Sequence, residues 1–108
     1  MSRPDDFRRA DIIEAAGVVG AIVDKGRHAF DQSLINRLAL ERLLEVIGEA
    51  STNLSASFRS AHPDIEWSKV MRLRIVLAHH YHRIDADQLW GIATIEVPKL
   101  LSALEPPH

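Results

Sequence analysis

The sequence predicts an all-α protein, a bundle of four antiparallel helices in a single domain over residues 1–108. Apolar side chains recur at three- and four-residue steps in four separate stretches, which is the period of amphipathic helices. No stretch alternates polar and apolar residues as a half-buried strand does. The connections between the four stretches are short, and short connections favour antiparallel neighbours.

The first predicted helix begins near Pro4 and Asp5, because proline and acids are favoured at a helix N-terminus. It ends at Gly26, a glycine stop between Lys25 and Arg27. Gly17 and Gly20 lie in its middle and lower its helix propensity. They predict the close approach of another helix, and a flexible hinge is the alternative.

The second helix follows a connection at residues 28–33 and is capped by Asp31 or Ser33. Its apolar positions extend from residue 34 to residue 54, and the serine-rich stretch 51–60 predicts that its end frays. Glu49 stands beside a glycine in this helix, so its carboxylate lies either at a helix–helix contact or in solvent.

The third helix is predicted to start near Asp64, which puts Trp67 in its second turn. The last helix is capped by Asp85 or Asp87. Pro98 falls inside the last helix, where it predicts a kink or a local break.

Composition limits the classes of function. The chain has no cysteine, which excludes disulfides, thiolate metal sites and cysteine nucleophiles. No apolar run approaches the roughly 18 residues of a membrane span, and the N-terminus has no signal-peptide pattern, so a cytoplasmic protein is expected. A net charge of −2 argues against bulk electrostatic coating of nucleic acid. A monomer of 108 residues would be only modestly stable, and oligomerisation would help.

Arg74 is the residue that the predicted core explains least. It stands inside the apolar run RLRIVLA, where an unpartnered guanidinium would be costly to bury. Its counter-charge is either a carboxylate, Glu45 or Glu49, or the phosphate of a ligand. From Lys69 to Arg83 the chain carries four basic residues, three histidines and no acid, which favours a confined anion site.

Three histidines follow the apolar run, at positions 79, 80 and 82. They are not accompanied by a carboxylate or an HExxH pattern, so we predict no metal site and no cofactor. On an ideal helix Tyr81 shares the face of Arg74, whereas His79 lies about 140° away, so convergence requires a distorted last turn or a second protomer.

Arg74, His79 and Tyr81 together spell R-x4-H-x-Y. The flanks IGEA (47–50), PDIEW (63–67) and VPKLL (97–101) have the order and spacing of a known family. In these features the chain resembles HEPN-domain proteins of the HepT type, the toxins paired with a minimal nucleotidyltransferase.

The resemblance implies a homodimeric four-helix bundle in which the motifs of both protomers face one cleft. It also implies metal-independent cleavage of RNA, with Arg74 and His79 catalytic. In this family the partner nucleotidyltransferase silences the toxin by attaching AMP to the motif tyrosine, here Tyr81. Arg72, His80 and Glu49 are candidate supporting residues around that site.

Two alternatives stay open. Ile75 follows Arg74 where the family usually has a polar residue, and Arg72-Leu73 replaces the common Gly-Met. Ile75 favours a non-catalytic HEPN module that binds a nucleotide or a partner nucleotidyltransferase. A purely structural dimerising bundle is the third interpretation, with Tyr81 a core aromatic whose hydroxyl lies at the rim.

Overall fold

The computed structural model describes residues 3–78 and 85–105, and every regular element in these residues is helical. The all-α prediction is therefore confirmed for this part of the chain, while the four-helix arrangement and the homodimer stay predictions. A π-helical segment joins the last two helices. In chain order the elements are α1 (Arg3–Asp24), α2 (Arg27–Asp31), α3 (Leu34–Thr52), α4 (Ala56–Ser60), α5 (Trp67–Met71), α6 (Leu73–Ala78), α7 (Ala86–Gly91), the π-helical segment (Ile92–Glu96) and α8 (Val97–Leu104).

The core forms where α3 packs between α1 on one side and α5 and α6 on the other. The start of α1 lies beside the end of α3, because the buried carboxylate of Asp5 accepts hydrogen bonds from the backbone N–H and the hydroxyl of Ser55 at 2.8 and 2.7 Å. The two long helices are thus antiparallel. Fully buried apolar side chains from three elements, α1, α3 and α7, belong to this core: Ile12, Val19, Leu40, Leu44, Ile47 and Leu89.

Helix boundaries follow the predicted stop and cap residues. Gly26 adopts a φ of 89°, a left-handed conformation that glycine adopts readily, just beyond the end of α1. Ser33 caps α3 by accepting from the Asn36 N–H at 3.1 Å, and Asp85 caps α7 by accepting from the Asp87 N–H at 2.7 Å. The predicted connection at 28–33 is itself partly helical, because α2 occupies it.

The predicted start of the third helix near Asp64 is wrong by three residues. Trp67 is the first residue of α5, and its indole N–H donates to the carbonyls of Arg59 and His62 at 3.0 and 3.1 Å. The indole therefore ties the turn containing Pro63 to α4. The serine-rich stretch also departs from simple fraying, since α3 ends at Thr52 and Ser55 caps the short helix α4.

The prediction of a close helix approach at Gly17 and Gly20 is wrong. A Cβ added at either glycine would meet nothing within 4 Å. The close approach occurs at Gly48 in α3, where a Cβ would lie 2.7 Å from the backbone nitrogen of Arg74. Both α1 and the α5–α6 segment pack against α3. The glycine that a close approach requires is the one where α3 meets the junction of α5 and α6.

The predicted kink or local break at Pro98 takes the form of a change of helix type, without an interruption of the helical residues from Ala86 to Leu104. The π-helical segment immediately precedes α8, in whose first turn Pro98 lies. A proline cannot donate a backbone hydrogen bond and its ring crowds the carbonyl four residues earlier, which belongs to Thr94. The Thr94 hydroxyl donates to the Trp90 carbonyl at 2.7 Å. The helix widens here and then continues.

The first two turns of α3 leave an apolar patch in water. Leu34 and Leu38 are more than half exposed, and Ile35 is 79% exposed. These residues open the run of apolar positions that extends from residue 34 to residue 54, and the single chain leaves them exposed. Across the described ranges, 3–78 and 85–105, no helix combines the length and the apolar character needed to cross a membrane.

Candidate functional site

A groove of about 500 Å³ runs along the face of α3 that is flanked by α1 and α6. We call it the charged groove, because arginines and carboxylates alternate along it. The start of α1, the second half of α3 and the start of α6 each contribute. Its lining residues are Arg8, Asp11, Arg42, Glu45, Val46, Glu49, Ala50, Arg74 and Ile75.

Arg74 reaches the charged groove from the first turn of α6. Its neighbours Leu73 and Val76 turn the other way and pack against the core. The arginine side chain itself is 41% exposed, so the expectation of a guanidinium buried among apolar residues is wrong. The apolar run supplies a rigid, half-buried helix, and Arg74 projects from it into water.

The counter-charge of Arg74 is Glu49 of α3. Its Oε2 lies 3.7 Å from Nη1 of Arg74, and the glutamate side chain is 58% exposed. The other carboxylate considered from the sequence, Glu45, instead contacts Arg42 at 2.8 Å. Exposed ion pairs contribute about 0–1 kcal/mol to stability, and 3.7 Å exceeds an ordinary hydrogen bond. Glu49 thus faces Arg74 without saturating it.

The second carboxylate oxygen of Glu49 has its own partner. The side-chain amide of Asn53 donates to Oε1 at 3.4 Å and to the Glu49 carbonyl at 3.1 Å. Asn53 also terminates α3. The carboxylate is therefore held on one side by the end of α3, while its other oxygen faces Arg74.

Arg27, which lies outside the charged groove, forms shorter ion pairs than Arg74 does. Arg27 lies 2.9 Å from Asp31 and 2.8 Å from Asp87, which ties α2 to α7. The hydrogen bond to Asp31, followed by the one to Asp87, raises the pKa of the Arg27 guanidinium. Both of its contacts are close to 1 Å shorter than the contact between Arg74 and Glu49.

Arg72 does not join Arg74. It lines a second and larger cavity of about 1040 Å³, which lies between α5–α6 and the segment from α7 to α8. Lys69 lines the same cavity and contacts Glu96 at 3.4 Å. We call this space the apolar cavity, since Val70, Leu73 and Ile95 are typical of its walls. The three described basic residues of the stretch predicted as one patch are thus divided: Lys69 and Arg72 line the apolar cavity, and Arg74 lines the charged groove.

The remaining predicted site residues, His79, His80 and Tyr81, lie outside the described residues. Their proposed roles stay predictions. Among residues 3–78 and 85–105, no group of three or more histidine or carboxylate side chains could hold a metal ion. The histidines at 79, 80 and 82 are not covered by that statement.

Sequence reasoning missed the parts of the charged groove that come from other helices. Arg8 and Asp11 reach it from α1, and Arg42 from α3. The only local signal was the three-residue spacing of Arg42 and Glu45, which favours an ion pair on one helix. Nothing in the spacing of Arg8 and Asp11 indicated which neighbour they would face.

Comparison with known protein families gives a match that includes the residues of this site. The family model described as "Ribonuclease HepT-like" matches residues 12–106. That range contains Glu49 and Arg74, together with the stretch from His79 to Tyr81. No solved structure gave a significant match to the chain.

Several named proteins are similar to the chain. One, from Methanocaldococcus jannaschii and named "Putative RNase MJ1380", is 36% identical over 96 residues, which is 88% of each chain. Another, from Thermococcus cleftensis and named "Probable ribonuclease HepT", is 38% identical over 69 residues, covering 64% of this chain and 63% of the other. A second M. jannaschii protein, "Putative RNase MJ0127", is 40% identical over 62% of this chain and 55% of its own length.

Proposed function

Because this chain belongs to the HepT-like ribonuclease family, we propose that it is an RNA endonuclease that cleaves without a metal ion. The observation that carries the proposal is Arg74, a partly exposed guanidinium on α6 whose nearest carboxylate lies 3.7 Å away and leaves it unsaturated. An arginine can hold two phosphate oxygens at once and stays charged at every relevant pH. The charged groove therefore offers a preformed contact for an RNA phosphate.

The reaction follows from the residues of the R-x4-H-x-Y motif. His79 removes the proton of a ribose 2′-hydroxyl, and the 2′-oxygen bonds to the adjacent phosphorus. Arg74 stabilises the extra negative charge of the phosphorane oxygens. The bond from phosphorus to the 5′-oxygen then breaks, and that oxygen takes up a proton. The products are a 2′,3′-cyclic phosphate and a 5′-hydroxyl end, with no oxidant or reductant consumed.

Histidine suits the proton transfer because its ordinary pKa of about 6.5 lies near neutral pH. Such transfer contributes on the order of 10²–10⁴ in rate. The chain has no cysteine, which removes thiol chemistry as an alternative.

The proposed active form is a homodimer. The apolar patch of Leu34, Ile35 and Leu38 is the kind of surface that a second chain covers. Leu34 and Leu38 share the helix face on which Arg42 and Glu49 stand, because these positions are separated by steps of three, four or seven residues. Pairing through this face would bring two charged grooves together, where the motifs of both protomers could act on one RNA strand.

The proposed biological role is that of a cytoplasmic toxin controlled by a partner nucleotidyltransferase. The partner would transfer AMP from ATP to the Tyr81 hydroxyl, releasing pyrophosphate and a proton. An adenylated tyrosine two residues from His79 would carry a bulky anion into the space that the RNA phosphate needs. Family membership and the position of Tyr81 in the motif support this role.

A second candidate function is a non-catalytic module that binds a nucleotide or a nucleotidyltransferase. Ile75 favours it, because this isoleucine is half exposed and lines the charged groove beside Arg74. The family usually has a polar residue at that position. An apolar side chain there offers a nucleobase a surface but contributes nothing to charge stabilisation.

Cleavage of a labelled RNA by purified protein separates the two functions. Wild-type protein should cleave equally well with and without EDTA and should leave cyclic-phosphate ends, whereas Arg74→Ala and His79→Ala should each lose activity on the order of 10²-fold or more. Arg27→Ala is the matched control, since it removes an arginine that lies outside the charged groove. Equal activity in all four proteins would end the enzyme proposal, and nucleotide binding without cleavage would favour the second function.

The proposed transfer of AMP to Tyr81 is tested by mass spectrometry after incubation with the partner nucleotidyltransferase and ATP. Mass increments of AMP should appear on the peptide that contains Tyr81 and should be absent in Tyr81→Phe. Loss of cleavage should follow the modification. Unchanged silencing of Tyr81→Phe would contradict the assignment.

A further inference from the structure

Among contacts with residues 3–78 and 85–105, Gly48 is the only one of the five glycines at which an added Cβ would collide with a neighbour. The Cβ would lie 2.7 Å from the backbone nitrogen of Arg74, 3.1 Å from the Val70 carbonyl oxygen and 3.2 Å from the Leu73 Cβ. Two of these three atoms belong to the backbone, which cannot move aside by changing a rotamer. The backbone of α3 therefore seats directly against the junction where α5 ends and α6 begins.

Glu49, the next residue, contacts the other end of the same arginine. Its Oε2 faces Nη1 of Arg74 at 3.7 Å, and its Oε1 accepts from the Asn53 amide at 3.4 Å. Gly48 thus fixes the distance of α3 from the Arg74 backbone, while Glu49 lies beside the guanidinium. Two consecutive residues of α3 thus lie against the backbone and the guanidinium of one arginine.

We infer that Gly48 and Glu49 are positioning residues for Arg74, with Asn53 orienting the carboxylate. This inference rests on the proposed function, since it assigns these residues a role in RNA cleavage. Glu49 holds one edge of the guanidinium through Nη1, which leaves other N–H donors of the planar fork available to a phosphate. In the absence of RNA the same contact keeps the long arginine side chain over the charged groove, so less rotamer freedom is lost when the phosphate binds.

The ion pair between Glu49 and Arg74 is weak enough to be removed without unfolding the protein. An exposed pair at 3.7 Å stabilises the fold by about 0–1 kcal/mol, so its loss should leave the protein folded. Misplacement of a catalytic group by about 1 Å can nevertheless cost on the order of 10²-fold in rate. Removal of the carboxylate should therefore change catalysis more than it changes thermal stability.

The first test is Glu49→Gln, which keeps the shape of the side chain and removes its charge. We expect kcat to fall roughly five- to tenfold with KM changed less than about twofold, because the arginine is needed most when the phosphorane forms. Glu49→Asp retains a carboxylate and should keep more activity than Glu49→Gln. Asp31→Asn is the matched control, since it makes the same change of charge beside an exposed arginine outside the charged groove.

The second test is Gly48→Ala. The new methyl group must push α6 away from α3, so kcat should fall on the order of 10²-fold. Gly17→Ala is the matched control, because nothing lies within 4 Å of a Cβ there. A far-UV circular dichroism melt of each variant shows whether it is folded. Asn53→Ala is a further test that leaves the contact between Gly48 and α6 unchanged. We expect it to lower kcat by less than Gly48→Ala does.

The outcomes distinguish the inference from the proposed function. Wild-type kcat in Glu49→Gln, together with an inactive Arg74→Ala, would overturn the inference and leave the ribonuclease proposal intact. A lower KM or a higher kcat in Glu49→Gln would also overturn it, because the carboxylate would then compete with the phosphate for Arg74. Absence of RNA cleavage by the wild-type protein would remove the premise itself.

Discussion

The two cavities beside the α5–α6 segment differ in both size and charge. The apolar cavity has about twice the volume of the charged groove, about 1040 Å³ against about 500 Å³. The smaller space, however, carries three arginines and three carboxylates on three helices. An anion is bound by fixed charges and oriented donors rather than by volume, so the smaller space is the better candidate for a phosphate.

The difference between the two cavities is also seen in two neighbouring side chains, Arg72 and Arg74. They are two residues apart, which corresponds to a rotation of about 200° around a helix. Arg72 consequently lines the apolar cavity and Arg74 the charged groove. Their difference in environment shows that a run of basic residues in the sequence need not form a single basic surface.

The largest expected effect on cleavage comes from replacing each of these two arginines singly by alanine. Arg74→Ala should lower kcat for RNA cleavage on the order of 10²–10³-fold, the loss typical of one missing transition-state donor. Arg72→Ala should lower it by less than about threefold, since the residue affects only the general attraction of RNA. Single-turnover kinetics on a labelled RNA measures both. Equal losses would break the distinction between the two cavities.

The next effect concerns the apolar patch on α3. Ile35→Glu puts a charge on its most exposed side chain and should convert a dimer into a monomer, lowering cleavage on the order of tenfold. Size-exclusion chromatography with light scattering reports the mass of each form. A dimer of unchanged mass in Ile35→Glu would show that another face is the interface.

Ile95→Glu is expected to have a smaller effect and serves as the control for Ile35→Glu. Ile95 is 54% exposed and lines the apolar cavity, so a charge there should be tolerated. Cleavage by this variant should stay within about twofold of wild type, because the cavity has no role in the proposed reaction. A large loss of activity with retained helicity would assign the apolar cavity a part in RNA binding.

The smallest effect is on stability alone. Gly17→Ala should raise the free energy of unfolding by about 0.5–1 kcal/mol, since alanine favours a helix and the added methyl group meets nothing. Urea denaturation followed by circular dichroism is sensitive enough to detect it. Destabilisation at this position would mean that α1 has a close neighbour after all.

The sequence predicted the helices better than it predicted their contacts. Ser33 and Asp85 cap helices as their residue types indicate, and Pro98 disturbs the last helix. These are local effects that depend on a few neighbouring residues. The choice among glycines was not local, because Gly17 and Gly48 look alike in the sequence and differ only in what packs against them.

The candidate site shows the same limit. Arg74 could be singled out from the sequence, because an arginine in an apolar run needs a counter-charge. The sequence left Glu45, Glu49 and a ligand phosphate as alternatives, and the structure places Glu49 beside Arg74. The exposure of the Arg74 side chain could not be predicted from the sequence, because it depends on how α6 is rotated relative to α3. Arg8 and Arg42 were missed because they join the charged groove only through tertiary packing.

The central claim is that RNA binds along the charged groove at Arg74. It is tested most directly by NMR chemical-shift mapping with a 2′-deoxy oligonucleotide, which lacks the attacking hydroxyl and cannot be cleaved by the proposed reaction. The account predicts that the perturbed signals belong to Arg8, Glu49 and Arg74, while those of Ile95 and Lys99 stay in place. Shifts concentrated at Ile95 and Lys99, with Arg74 unchanged, would contradict it.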